Sequence, residues 1–377
     1  MDPGTSGGPV FADDLCGVVG IIQCSKSEES YVIRWDNIVE ELDKLGLEPE
    51  KSAVCQFLQD VEDEFTSIRL FHTAQELVLK DQYIPVQVTL ERTYRHEVET
   101  LRGYAESEAE LNRAYALKGM DEESPRRHVD WEEARAQHQR IMVLADPGMG
   151  KSTLLRIEAM SNAQRERQKL LDNEETVDEV VFPLFLRLSD LAETAAEIID
   201  AIPTLIQRDY PRTSAAIAPL LKEKLETGKC LLLLDAFDEV PKTDRNRFAE
   251  KLKRFARHYP CPIIATSRIV GYSGSLVDDA KEVELVPFSQ KQTEQYIETW
   301  FTNAAAFIND DTVSAEGLIR ELRNKPQIRG LAQNPLLLSL LCSLYQEKAL
   351  MLPARRSQIY EQTVKYMLRE WRARHSR

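Results

Sequence analysis

The chain has 377 residues, 43% of them hydrophobic, and a formal net charge of −14. That much apolar material supports two or three packed units and excludes wholesale disorder. The acidic balance argues against bulk binding to nucleic acid or an anionic membrane, no apolar run reaches the roughly 18 residues of a membrane span, and the polar start is not a signal peptide, so a cytoplasmic protein without a membrane partner is expected.

Residues 1–51 open with β-rich pieces, an apolar run at 16–23 and Tyr31-Val32-Ile33, before a short helix predicted over 36–45. Residues 52–130 are charged and read as a helical linker region. Their clearest helix covers about 92–116, with Glu and Arg on its exposed face. An extended segment lies at 83–90, and Ser124-Pro125-Arg126-Arg127 breaks the helical pattern. From 131 to 288, short apolar runs at 140–145, 180–188, 229–235, 262–266 and 282–285 alternate with helical patterns at 152–170, 215–226 and 244–258. Buried strands separated by helices imply an α/β unit, a parallel sheet covered on both faces in three layers. Residues 289–377 carry no strand signal and are predicted to be helical over 290–301, 313–325, 330–345 and 357–374. Cys16, Cys24, Cys55, Cys230, Cys261 and Cys342 are scattered without a CxxC pair, as expected of buried free thiols in a reducing compartment.

Three strand ends carry the chemistry. The run Ile141–Leu144 leads into Ala145-Asp146-Pro147-Gly148-Met149-Gly150-Lys151-Ser152-Thr153, and a helix begins at once. Successive backbone amides at a helix N-terminus, helped by the helix dipole, can hold phosphate charge without water. Gly148 and Gly150 let the backbone come close. Lys151 can reach the β- and γ-phosphates of ATP, Ser152 can ligate Mg²⁺ and Thr153 faces the α-phosphate. Ala145 stands where the strict pattern has its first glycine. The second strand end, Leu234-Asp235-Ala236-Phe237-Asp238-Glu239, crowds three carboxylates. A divalent cation beside a phosphate site would explain them, with Asp235 as its partner next to Ser152. Glu239 or Asp238 could orient and deprotonate an attacking water. The third, Thr266-Ser267-Arg268, places a cation able to stabilise or sense a γ-phosphate.

In this order the motifs resemble the NACHT branch of the STAND P-loop NTPases, in which a small residue, here Ala236, comes after the strand aspartate and a paired acid, here Asp238-Glu239, comes next. Gly330-Leu331-Ala332-Gln333-Asn334-Pro335-Leu336 resembles that family's helical-domain motif, whose proline, here Pro335, packs near the adenine; Leu352-Pro353 and the stretch from Tyr360 to Trp371 resemble the family's next segment. The resemblance covers about residues 131–371. It implies a P-loop NTPase domain at 131–288 and an α-helical domain at 289–377 that stops before a winged helix and sensor repeats. It also implies a switch that rests with ADP, exchanges it for ATP on an unknown trigger, hydrolyses slowly, and forms a homo-oligomer that activates an effector, in many bacterial members against phage.

At the other end, Pro3-Gly4-Thr5-Ser6-Gly7-Gly8-Pro9-Val10 resembles the nucleophile segment of trypsin-like serine proteases, with residues 16–22 and 31–35 as its next strands. A serine nucleophile needs a base and an orienting acid, and in that fold both precede it. Residues 1–51 are therefore expected to be a remnant of such a barrel, without protease activity in this chain, or the tail of a longer protein. Two alternatives stand beside the switch: the regulatory NTPase part of a protease, or another P-loop ATPase such as an AAA+ protein. No LSGGQ-like signature of a transporter ATPase is present.

Overall fold

In the computed structural model the described residues are 9–12, 17–24, 30–34, 49–69, 76–90, 128–270, 272, 274, 276–305 and 313–346, with scattered positions between 355 and 368. The helices predicted at 36–45 and 92–116, the break at 124–127, Ser6 and Leu352-Pro353 lie outside the described residues. Strands β1 (Pro9–Ala12), β2 (Gly17–Cys24) and β3 (Ser30–Arg34) form an antiparallel sheet of their own. β4 (Ser67–Arg69) and β5 (Glu76–Val78) make a second small antiparallel pair.

The main sheet has seven strands: β6 (Gln87–Thr89), β7 (His128–Asp130), β8 (Arg140–Ala145), β9 (Phe182–Arg187), β10 (Cys230–Asp235), β11 (Ile263–Arg268) and β12 (Lys281–Leu285), in the order β7-β6-β12-β8-β11-β10-β9. The five strands from β8 to β12 are parallel; β6 and β7 add antiparallel at one edge. The stretch 52–130, read from the sequence as mostly helical with an extended segment at 83–90, thus supplies two edge strands of the main sheet, β6 inside that extended segment and β7 at the end of the stretch. All six residues of β10 are buried. A strand buried on both faces shows no alternation, which is why these strands read as continuous apolar runs. Parallel strands also send all their C-terminal ends to one edge, so Ala145, Asp235 and Arg268 emerge on the same side. β11 lies between β8 and β10, with Arg268 opposite Ala145 and Leu234 opposite Ala265.

The helices cover this sheet through apolar stripes. In α1 (Pro49–Thr66) the buried residues Val54, Phe57, Leu58, Val61 and Phe65 recur every three or four positions. Phe57 meets Phe182 at 5.3 Å and Tyr210 at 5.5 Å, and Phe65 meets Phe185 at 5.0 Å. α1 therefore packs on β9 and along the long helix after β8, an arrangement that burying each such side chain stabilises by about 1.5–3 kcal/mol. The short α2 (Leu79–Gln82) precedes β6, and α3 (Trp131–Gln137) comes after β7, its Trp131 indole donating to Glu158 Oε1 at 2.6 Å. α4 (Lys151–Leu171), α5 (Leu188–Glu193), α6 (Ile198–Asp209), α7 (Ser214–Glu226) and α8 (Arg245–His258) complete the α/β part. After β12 the described chain is helical: α9 (Gln290–Asn303), α10 (Ala315–Asn324), α11 (Pro326–Leu331) and α12 (Pro335–Gln346). Ser289 and Gln292 close a capping box at the start of α9. The single helix expected over 330–345 is two, because the Asn334-Pro335 pair forces a break and a new N-terminus. Among the described residues no helix is long and apolar enough to cross a membrane. Cys55 is half-buried and Cys230, Cys261 and Cys342 are buried; all four are free thiols.

Candidate functional site

The loop from β8 to α4 folds as its glycines require. Gly148 has φ +80° and Gly150 has φ +88°, the left-handed region that side chains rarely enter. Nothing lies within 4 Å of where a Cβ on Gly150 would stand, so that position opens onto space, while a Cβ on Gly148 would meet Asn334 Oδ1 and Leu336 Cβ, each at 2.8 Å. Ala145 is the last residue of β8, in extended backbone, so its methyl costs nothing there. Lys151 Nζ donates to the carbonyls of Ala145 at 2.9 Å and Asp146 at 3.2 Å, folding the side chain back over its own loop. Burial pushes its ammonium below the ordinary lysine value, with Asp238 opposing.

β10 ends against β11 through one hydroxyl. Thr266 Oγ1 donates to Asp235 Oδ1 at 2.7 Å and accepts from the Ala236 amide at 2.9 Å. That second bond helps hold Ala236 at φ +62°, a left-handed conformation for a residue with a Cβ, which costs on the order of 1–2 kcal/mol. The turn it makes carries Phe237, Asp238 and Glu239 in a 3₁₀ helix. Asp238 is held by Arg268 twice: Oδ1 accepts from the Arg268 amide at 3.0 Å, and Oδ2 lies 2.8 Å from Arg268 Nε. Arg245 fixes the turn from below, donating to the carbonyls of Asp238 at 2.6 Å and Val240 at 2.9 Å. Glu239 is exposed.

These pieces share one cavity of about 480 Å³, lined by Pro147 to Thr153, Asp235, Ala236, Asp238, Glu239 and Arg268. Of the residues singled out in the sequence as candidates, Ala145 and Asp146 are not on its wall; they reach it through Lys151. Its remaining wall is apolar and comes from elsewhere in the chain: Leu79, Tyr83, Ile84 and Val86 before and beside β6, Phe288 and Tyr296 around α9, and Pro335, Leu336 and Ser339 of α12. Gln292 and Gln82 tie that wall together, Gln292 Nε2 donating to Pro85 O at 2.7 Å and Gln82 Oε1 accepting from Asn303 Nδ2 at 3.2 Å. A polar end with amides, a lysine and carboxylates and an apolar end with aromatic rings suit a phosphate chain joined to a planar base. Among the described residues no group of three or more His, Cys, Asp or Glu could hold a metal. Ser152 and Asp235 on one wall fit the sparser requirement of Mg²⁺, which takes one or two protein oxygens and the rest from phosphate and water.

The sequence reading did not count Thr266, Asn334 or the 79–86 wall among the site residues. Thr266 is one of two hydroxyls before Arg268, and only the register of β10 against β11 shows which one meets Asp235.

Residues 139–304 match the NACHT domain. A NACHT domain is a P-loop NTPase, and the match spans the phosphate loop, the acidic turn and Arg268. No curated protein matches the chain. Among solved structures, it is similar to PCH-2 of C. elegans (15% identity, TM-score 0.35, 61% of this chain and 62% of that one). It is likewise similar to Aeropyrum pernix ORC1 in complex with DNA (15% identity, TM-score 0.36, 74% and 67%) and to a Thermotoga maritima RuvB variant (15% identity, TM-score 0.28, 60% and 61%). The chain thus spans about three fifths of the length of PCH-2 and of that RuvB variant. The NACHT-matching segment ends just after α9, so α10 to α12, the last of which completes the cavity, lie beyond it.

Proposed function

We propose that this protein binds ATP with Mg²⁺ in the cavity at the C-terminal edge of the main sheet and acts as a nucleotide-dependent switch that hydrolyses ATP slowly. The observation that carries this reading is the convergence of the Lys151 loop, the Asp235–Glu239 turn and Arg268 on one cavity whose far wall belongs to α9 and α12. A ligand filling it touches both the sheet and the helical segment, and such a ligand can shift how the two sit.

Within this reading the amides of the loop and Lys151 hold the phosphates, and Ser152 and Asp235 hold the ion, with Thr266 keeping the aspartate in place. Mg²⁺ supplies charge neutralisation of the phosphates. Glu239, exposed at the cavity, takes the proton of the attacking water. Asp238 is a poorer base because both of its oxygens are engaged by Arg268. A terminal phosphate competes with Asp238 for the Arg268 guanidinium, and that change of partner is how the γ-phosphate is sensed. Tyr83, Ile84, Phe288 and Pro335 take the base. The resemblance to NACHT proteins supports extending the reading to self-assembly in the ATP form and activation of an effector, with defence against phage as the setting in bacterial members.

The test is binding of a fluorescent ATP analogue to the wild-type chain and to Lys151→Ala. Charge-assisted hydrogen bonds to phosphate contribute about 1.5–3 kcal/mol each, so the variant should bind at least about tenfold more weakly and hydrolyse nothing measurable. Equal affinity in the two proteins would remove the basis of the assignment.

A further inference from the structure

The phosphate loop is gripped from outside by the first residues of α12. Asn334 Nδ2 donates to the Pro147 carbonyl at 3.0 Å and lies 3.6 Å from Met149 Sδ. The Leu336 amide donates to the Gly148 carbonyl at 3.1 Å. The same Asn334 caps its own helix, its Oδ1 accepting from the Leu337 amide at 3.2 Å. The fit is tight enough that Gly148 has no room for a Cβ on that side. So the residue that starts α12 also holds the loop 187 positions away in the chain.

A peptide's carbonyl and amide point in opposite directions. Anchoring the carbonyl of Pro147 on α12 therefore sets the direction of the Gly148 amide, and anchoring that of Gly148 sets the Met149 amide, which donates to the Asp146 carbonyl at 3.4 Å and closes the turn of the loop. An unanchored glycine-containing loop would have many shapes to choose from, and a ligand would have to select the right one. We infer that Asn334 is a positioning residue for the nucleotide: its bond to Pro147, with that of Leu336 to Gly148, keeps the phosphate loop in its anion-binding shape, and bound nucleotide is released when α12 lets go of the loop. The coupling is reciprocal, since whatever moves α12 loosens the nucleotide, and nucleotide in the loop steadies α12. This inference rests on the nucleotide-binding reading above and adds the element that controls exchange.

The experiment measures release of a fluorescent ADP analogue, chased with unlabelled ADP, from the full chain and from Asn334→Asp and Asn334→Ser. Both substitutions retain a capping oxygen for the Leu337 amide; Asp has no donor for the Pro147 carbonyl, and Ser, which adds no charge, carries its hydroxyl one bond short of the position of Asn334 Nδ2. Release should accelerate about tenfold in each, a change of the size one lost hydrogen bond supplies, and the rise in melting temperature that ADP gives should shrink with it. A merely structural role would lower the melting temperature equally with and without ADP and leave the release rate at the wild-type value. Hydrogen exchange on the wild-type chain, which needs no variant to fold, should show ADP protecting the amides of residues 148–150 and of 336–338 together. Release at the wild-type rate in both variants, or ADP protection confined to the loop, overturns the inference while leaving the nucleotide reading in place. A wild-type chain that does not bind the analogue overturns both.

Discussion

At Gly148 two requirements meet: a left-handed φ of +80° and a neighbouring helix that would collide with any Cβ. At Ala145 neither applies, because the residue ends a strand, so the departure from the strict glycine pattern carries no structural penalty. The acidic turn separates its carboxylates in the same local way. Asp235 is held by Thr266 and Asp238 by Arg268, which leaves Glu239 as the acid exposed at the cavity. Glu239→Gln should therefore slow single-turnover hydrolysis by about 10²–10⁴, the usual range for losing a general base, with the affinity for ATP unchanged; hydrolysis at the wild-type rate would move the role to another group. Lys151 gives a pH signature. Burial lowers its pKa in the nucleotide-free protein, and phosphate charge raises it on binding. In the window between those two values binding takes up a proton, so affinity is full below the lowered value and falls as pH rises through it toward the ordinary lysine value of about 10.4. Calorimetry in two buffers of different ionisation heat should show proton uptake that grows as pH enters that window and is lost in Lys151→Met. Equal heats in both buffers throughout would mean that Lys151 does not meet the phosphates.

At the scale of elements, α1 is held by its apolar stripe, with Glu62 paired to Arg167 and Asp60 accepting from Thr213 on its polar side. Phe57 is fully buried between Phe182 of β9 and Tyr210 after α6, so it joins three elements at once. Phe57→Ala should destabilise the protein by about 3–5 kcal/mol, read as a lower denaturant midpoint with an unchanged slope; a shift under about 1 kcal/mol would mean that α1 does not belong to the same cooperative core. The central strands were legible because burial on both faces leaves an unbroken apolar run. Strand β10 was expected over 229–235 and is Cys230–Asp235. Of the edge strands, β6 lies within the extended segment read at 83–90, but β7 was not legible: His128-Val129-Asp130 offers a single apolar residue, too few for any period to show. Their pairing is made by partners far along the chain, Thr89 with Glu284 and Gln87 with Asp130.

For the molecule as a whole, the cavity joins segments that are distant in sequence, from Leu79 to Ser339. A ligand seated there stabilises the folded state by mass action, about 2.7 kcal/mol at a hundredfold excess over its Kd. ADP at that concentration should raise the melting temperature of the wild-type chain and raise that of Lys151→Ala by about half as much or less, as a tenfold or greater loss of affinity requires. A rise of equal size in both would place the ligand at some other site.

The loop glycines, Lys151, the carboxylates after β10 and the α/β alternation could all be read directly from the residues, because each depends on neighbours in the chain: a dihedral that only glycine enters freely, a run buried on two faces, charges that repel unless an ion sits among them. Which hydroxyl meets Asp235, which acid Arg268 holds, and that Asn334 grips the phosphate loop were decided by tertiary structure. Those contacts depend on strand order, on register and on the docking of α12, and packing sets such long-range relations while leaving no local periodicity in the sequence.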